Sequence, residues 1–471
     1  MKRRRLITVI VSAVILTIAI AGYLYWRKYG PIIGVEWFQT GNTQRITRLQ
    51  AKESKELEDN RIGDMWRSGR IDIHTERDAN HFIDEINNLG LKWIRLSIDW
   101  LDWNEVVDTE EYSEYHVDPY QDKAIEDLVS KDIKIMYILL YWDETIKEKV
   151  EEYEGRGEEF LRFKTEEEIQ NYLNYVKFIV SHFKGKIDYY EILNEPDGDI
   201  GQFTELDDYI NIIKRVVPVI REEDPNAKIV VGAICYLGEQ CHHEYLFWVL
   251  ESDIMSLVDG ISFHPMYGTS PEYDKEYYYN YPSIIQEIKD TASAHGFVGE
   301  YIAEELVWRT PRNPGGPSEF STYSDTLSAK YTARGVIINL GMDITTGMIL
   351  DIDDIHLPKI VVQNLCTIMA GAELTELPLN IESEATNIAS YTFSLSNGDT
   401  LVALWTDGVA IDDDPGVNAT VTIPNFSAQE VKGIDVLEGY QQSLVITKGD
   451  EDLIIEDLIV RDYPMILHII K

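Results

Sequence analysis

Short apolar runs alternate with longer amphipathic stretches over the first three quarters of the chain. That rhythm predicts strand–helix repeats feeding a parallel sheet. Candidate strands lie at residues 32–37, 93–98, 133–140 and 189–193, then at 229–235, 260–263, 301–304 and 344–350. Between them, apolar positions recur at helical spacing. Residues 81–90 set Phe82, Ile83, Ile86 and Leu89 on one face and close on Gly90. Residues 166–183 turn Tyr172, Val176, Phe178 and Ile179 inward. Strands separated by helices in this way predict an α/β fold, a (β/α)8 (TIM) barrel over residues 31–357. An open doubly wound sheet is the alternative, but no glycine-rich phosphate fingerprint follows the first strand.

The period changes after Lys359. A helical segment at 360–369 leads into alternating strands at 390–394, 401–405, 419–423, 444–446, 453–455 and 465–470. Turn signals at Ser396-Asn397-Gly398-Asp399 and Asp412-Asp413-Asp414-Pro415-Gly416 separate some of them. Residues 360–471 therefore predict a C-terminal antiparallel β domain, with no catalytic constellation of its own.

The N-terminus has a third pattern. Lys2-Arg3-Arg4-Arg5 precede an uncharged, mainly apolar run at 6–26, and Arg27-Lys28 follow. A helix over that run is long enough to span a bilayer. The heavier basic cluster lies before it, which places the rest of the chain outside the cytoplasm. Residues 1–28 are read as a transmembrane anchor. A cleaved signal peptide is the alternative, since Ala19-Ile20-Ala21 resembles a cleavage site, and the protein would then be secreted.

Composition narrows the partners. The net charge is −40, from 82 acidic against 42 basic residues, and such a field repels nucleic acid and anionic head groups. A nucleic-acid partner is excluded. Three cysteines are too few for a disulfide scaffold. Cys235 and Cys241 are near enough in sequence to pair, leaving Cys366 free and buried; a metal site built from these two with His242 and His243 lacks a second cluster at familiar spacing.

The chemistry lies at two strand ends. Tyr189-Tyr190-Glu191-Ile192-Leu193 is an apolar run stopped at Asn194-Glu195-Pro196, which sets Glu195 at the mouth of a parallel barrel. Retaining cleavage of a glycosidic bond needs two carboxyl groups about 5–5.5 Å apart, one protonated and one ionised. Tyr301-Ile302-Ala303-Glu304-Glu305-Leu306-Val307-Trp308 supplies the second. Strand alternation lets only one of the adjacent glutamates face the mouth. The spacing to Trp308 favours Glu305 as nucleophile, with Glu304 as the alternative. Trp142, Trp308 and Tyr141 are candidates for stacking on sugar rings, and equally for filling the barrel rim.

These residues resemble the large clan of retaining (β/α)8 glycosidases with an Asn-Glu-Pro acid/base after strand four and a glutamate nucleophile after strand seven. Within it the chain is most similar to the cellulase-like and β-xylosidase-like families, over residues 31–357. The resemblance implies that Asn194 bonds the sugar 2-hydroxyl, that Glu195 is acid/base and that Glu305 is the nucleophile. It implies that Arg95, in Trp93-Ile94-Arg95-Leu96-Ser97, braces the nucleophile. It also implies that His264 or Tyr267, in Ile261-Ser262-Phe263-His264-Pro265-Met266-Tyr267, orients nucleophile or sugar. Three features depart from the clan: Glu304 where a small polar residue is common, Val307 where glycine is frequent, and no tryptophan in 342–350.

The expectation is an exported, membrane-anchored retaining glycoside hydrolase acting on a β-linked oligo- or polysaccharide, with no cofactor and no metal. A catalytically silent surface protein that binds a glycan or a partner is the second reading. Transfer to an acceptor other than water stays open.

Overall fold

The computed structural model describes residues 38–65, 76–96, 117, 119–141, 144–198, 203–234, 237, 243–310, 323–348, 356–448 and 452–471. The expected anchor and the strand expected at 32–37 lie outside the described residues, as do Cys235 and Cys241. Among the described residues no helix is long and apolar enough to cross a membrane. The chain divides into two compact units. One comprises residues 51–374 with 408–413; the other takes residues before 51 together with 375–407 and 414–471.

The first unit is a closed parallel barrel whose strands follow one another in chain order. They are β1 Ile62–Met65, β2 Trp93–Leu96, β3 Lys134–Leu139, β4 Tyr189–Ile192, β5 Lys228–Ile234, β6 Gly260–Phe263, β7 Glu300–Leu306 and β8 Thr345–Met348. Closure runs through Ile62↔Thr346 and Gly63↔Gly347. The strands read as nearly continuous buried runs because helices cover the outside. The helix Glu166–His182 shows how the covering helices are specified. Thr165 caps it by accepting the Glu168 N–H, three glutamates occupy its first turn, and Ile169, Tyr172, Val176 and Ile179 are buried.

The barrel interior is filled, not open. Trp93, Met136, Val230 and Ile302, from β2, β3, β5 and β7, form one apolar cluster within it. The Trp93 indole takes the space of two absent side chains: a Cβ on Gly63 would lie 2.3 Å from its ring and one on Gly347 2.6 Å. This corrects the expected first strand. The barrel closes on Ile62-Gly63-Asp64-Met65 and needs no contribution from 32–37. Gly63 is small because Trp93 is large, and a Gly-Asp pair disguises a strand as a turn.

The helix His356–Met369 lies within the barrel unit. So does the excursion 408–413: Arg334 Nη1 donates to Gly408 O at 2.6 Å and Ala410 N to Tyr331 Oη at 2.9 Å.

The second unit consists of antiparallel sheets. One runs in the order Ile46–Arg48, Tyr440–Ser443, Glu430–Asp435, Met465–Ile470, Thr400–Thr406, Ile388–Ser394. The other runs Asn380–Ser383, Val417–Ile423, Leu453–Val460, Thr447–Lys448. Val402, Leu404, Val421, Ile455 and Leu467 lie in the core of this unit. The strand expected at 444–446 is instead the connection between Tyr440–Ser443 and Thr447–Lys448.

Candidate active site

The C-terminal ends of β2, β4, β6 and β7 bring one cluster of polar side chains together. Arg95 enters from β2 and is 1% exposed. A buried guanidinium requires partners, and Arg95 has them on every side. Its Nε donates to Glu191 Oε2 at 2.7 Å, its Nη1 to Glu305 Oε1 at 2.8 Å and its Nη2 to Asn194 Oδ1 at 2.6 Å. Glu304 Oε2 also lies 2.7 Å from Nε. Burial works to lower the arginine's proton affinity, but Glu191, Glu304 and Glu305 together overcome it, so the group is held charged more firmly than usual.

Both motif glutamates sit at backbone angles that L-residues rarely adopt. After β4, Leu193 has φ +66° and Glu195 +42°. On β7 the pairing with β8 slips between Ala303 and Leu306, and Glu305 has φ +56°. A bulge of this kind breaks the two-residue alternation of a strand. The expectation that only one of Glu304 and Glu305 faces inward is thereby corrected: both reach Arg95.

A second bulge holds Glu195 in place. On β5 the register with β6 slips between Val231 and Ile234, and Gly232 has φ +114°, where a Cβ would lie 2.3 Å from Ser262 O. The turned chain accepts the Glu195 N–H on Ala233 O at 2.8 Å. The Ala233 N–H donates to Ser262 Oγ at 3.0 Å, and Ser262 Oγ–H donates to Glu191 Oε1 at 2.6 Å. Glu191 thus connects Arg95 to the backbone under Glu195. Burial pushes its carboxyl up to about 8; Arg95 opposes that shift and Glu304 adds to it.

The segment after β6 supplies the remaining contacts. His264 is fully buried, and its Nδ1 lies 2.9 Å from Glu195 Oε1. The chain then runs beside the end of β7, with Val307 N donating to Met266 O at 3.0 Å and Gly268 N to Val307 O at 2.7 Å. This sets Tyr267 Oη against Glu305 Oε2, 3.3 Å from Glu195 Oε1 and 3.2 Å from His264 Nδ1. A phenol has one proton to give, and its closest acceptor is Glu305. Burial disfavours a charge on His264, yet the carboxylates Glu305, Glu195 and Glu304 raise it to about 10. The same carboxylates favour the protonated ring over the neutral one.

Glu195, His264 and Glu305 each bring an oxygen or nitrogen within 4.8 Å of the others. A cation would need His264 without its ligand-side proton, so the set suits proton transfer and carboxylate chemistry better than metal binding. An oxygen of Glu195 and one of Glu305 within 4.8 Å of each other is the close approach that retaining glycosidases need, rather than the wide gap of about 6.5–9.5 Å of inverting ones.

The structure therefore groups Asn194, Glu195, Arg95, His264, Tyr267, Glu304 and Glu305. It places two other candidates elsewhere. Trp308 is 3% exposed; its indole N–H donates to Thr269 O at 2.8 Å and its ring fills the space beside Gly335. It is a packing residue with no open face for a sugar. Tyr141 is 4% exposed and packs against Tyr172 and Tyr175. Trp142 lies outside the described residues. Glu191 and Ser262 escaped the sequence reading. The available signal was an acidic residue inside an otherwise apolar strand, a position that demands a buried partner.

A barrel carrying this pair of carboxyls at its mouth defines a glycoside hydrolase of the retaining (β/α)8 clan. Residues 57–293, half of the chain, match the family described as cellulase (glycosyl hydrolase family 5), and the chain belongs to that family. A family 39 glycoside hydrolase from the gut symbiont Bacteroides cellulosilyticus is similar in structure, with TM-score 0.64 and 14% identity over 91% of this chain and 84% of that one. A family 30 endoxylanase from Clostridium papyrosolvens gives TM-score 0.56 and 12% identity over 90% and 100%. A family 5 glycoside hydrolase from Bacteroides vulgatus gives 0.53 and 9% over 87% and 88%. At such identities the likeness speaks for the fold. No curated protein matches the chain.

Proposed function

We propose that the protein hydrolyses a β-glycosidic bond outside the cytoplasm by double displacement, with Glu195 as acid/base and Glu305 as nucleophile. A Glu305 oxygen attacks the anomeric carbon while Glu195 gives its proton to the departing oxygen, which takes the electron pair of the broken bond. Glu195, now a carboxylate, takes a proton from water; the water oxygen bonds the anomeric carbon and releases Glu305. The observation that carries this reading is the pair of carboxyl oxygens within 4.8 Å, with Arg95 bound to one of the two residues only.

The remaining side chains have roles that follow from their bonds. Arg95 and Tyr267 donate to Glu305 and favour its anionic form before attack. Arg95 can only donate, so the Asn194 oxygen faces it; the family resemblance assigns Asn194 to the sugar 2-hydroxyl. His264 orients Glu195.

The test compares the wild type and Glu195→Gln on a panel of activated β-glycosides and β-glycans. Hydrolysis by wild type, with the β-anomer appearing first by NMR, supports the reading; the α-anomer first would exclude it. The basic, apolar and basic pattern of residues 2–28 supports export with a membrane tether. Fractionation of expressing cells after an alkaline wash checks that placement: retention in the membrane supports a tether, and release supports the secreted form.

A further inference from the structure

We propose that Glu304 is a positioning residue, the counterion that keeps the His264 ring charged and oriented toward Glu195 throughout the catalytic cycle. This rests on the assignment of Glu195 and Glu305 made above. Glu304 is 1% exposed, and neither of its oxygens accepts a hydrogen bond among the described residues. It lies close to Arg95 Nε, but that N–H is directed at Glu191. On the other side, His264 Nε2 is also buried without a hydrogen-bond partner, 3.8 Å from Glu304 Oε2. A carboxyl beside Arg95 and an imidazole nitrogen, neither hydrogen-bonded at these atoms, therefore face one another in the barrel interior. The gap exceeds a direct hydrogen bond but lies within ion-pair range.

The other charges around the ring explain why Glu304 is needed. Nδ1 faces Glu195 and Tyr267 Oη; Nε2 faces Glu305 Oε1 at 3.7 Å as well as Glu304; Arg95 stands behind both β7 carboxylates. Glu305 loses its charge when it bonds the sugar. Glu195 changes charge at each step. Among the described acidic neighbours of His264, Glu304 is the one that the proposed reaction never consumes, so it can keep the ring protonated in the covalent intermediate, when Glu195 must turn from acid to base. A glutamate buried inside a barrel strand thereby acquires a reason to be there.

The experiment is a comparison of Glu304→Gln, Glu304→Asp and wild type, each checked for folding by thermal melting. His264 is followed by NMR of 15N-histidine-labelled protein, its signal identified by loss in His264→Asn. In Glu304→Gln the ring should titrate at least about one pH unit lower, a tenfold loss of proton affinity. The alkaline limb of kcat on an activated aryl β-glycoside should move down with it. Glu304→Asp, which keeps the charge, should lie nearer wild type on both. An unchanged His264 titration in folded Glu304→Gln, or equal behaviour of the Asp and Gln variants, would overturn the proposal. Azide separates this failure from failure of the functional reading. If azide restores turnover to Glu304→Gly and not to Glu305→Gly, the nucleophile itself has been misassigned.

Discussion

Glu195 and Glu305 approach to within 4.8 Å from the ends of β4 and β7 through the same backbone device, a left-handed residue, with φ +42° at one and +56° at the other. A side chain at such an angle strains the chain by roughly 1–2 kcal/mol, and strain of this kind persists where surrounding structure enforces it. Glycine has no such penalty. Glu305→Gly should therefore be more stable than Glu305→Ala by about 1 kcal/mol, although both lack the carboxylate. Urea unfolding of the two variants measures the difference. Equal midpoints would mean that the positive φ is not strained.

In the proposed mechanism Glu195 assists departure of the leaving group, so the effect of its loss should depend on how much assistance is needed. Glu195→Gln should lower kcat/KM by about 10²–10⁴-fold on unactivated glycans. Aryl glycosides with acidic phenols should suffer far less in the glycosylation step. Azide should then trap the sugar as its β-azide. A uniform loss across leaving groups would remove Glu195 from the acid role.

Tyr267 gives its proton to Glu305 and lies within 3.3 Å of Glu195. A hydrogen bond to a charged group contributes about 1.5–3 kcal/mol. Tyr267→Phe should reduce kcat/KM by about 10–100-fold while the melting temperature stays close to wild type. An unchanged rate would reduce Tyr267 to a packing residue.

The buried ionisable groups make a prediction about pH. Glu191 stands at about 8 against an ordinary 4.5, and His264 at about 10 against 6.5. In both, the folded protein keeps a proton that the unfolded chain has released, so stability falls as pH rises. The part due to His264 is complete below about 6.5 and is lost as pH passes through about 10. The penalty at Glu191 is absent below about 4.5 and complete above about 8. Glu191→Gln keeps an acceptor for Arg95 and cannot ionise. Its urea midpoint should fall less than that of wild type between pH 5 and 8. Parallel curves would mean that Glu191 titrates normally.

What could be read from the chain followed from local chemistry. Asn194-Glu195-Pro196 was legible because proline ends a strand where an apolar run predicts one. The barrel was legible from the spacing of such runs. β1 was hidden because Trp93, thirty residues away, dictates Gly63, and strands such as Asn380–Ser383 and Tyr440–Ser443 carry too little apolar character to stand out. The pairing of Ile46–Arg48 with Tyr440–Ser443 joins chain ends that no local pattern connects. At the site, simple alternation misjudged Glu304 because a bulge is a property of two strands together. Trp308 carried the right spacing for a sugar platform, yet Gly335 gives it a place in the packing.

The most direct measurement is the site of covalent capture. A 2-deoxy-2-fluoro β-glycoside with an activated leaving group slows release of the glycosyl intermediate and lets it accumulate. Peptide fragmentation by mass spectrometry then distinguishes the adjacent glutamates. The label is predicted on Glu305. A label on Glu304, or inactivation without any label together with release of the α-anomer from ordinary substrates, would contradict the account.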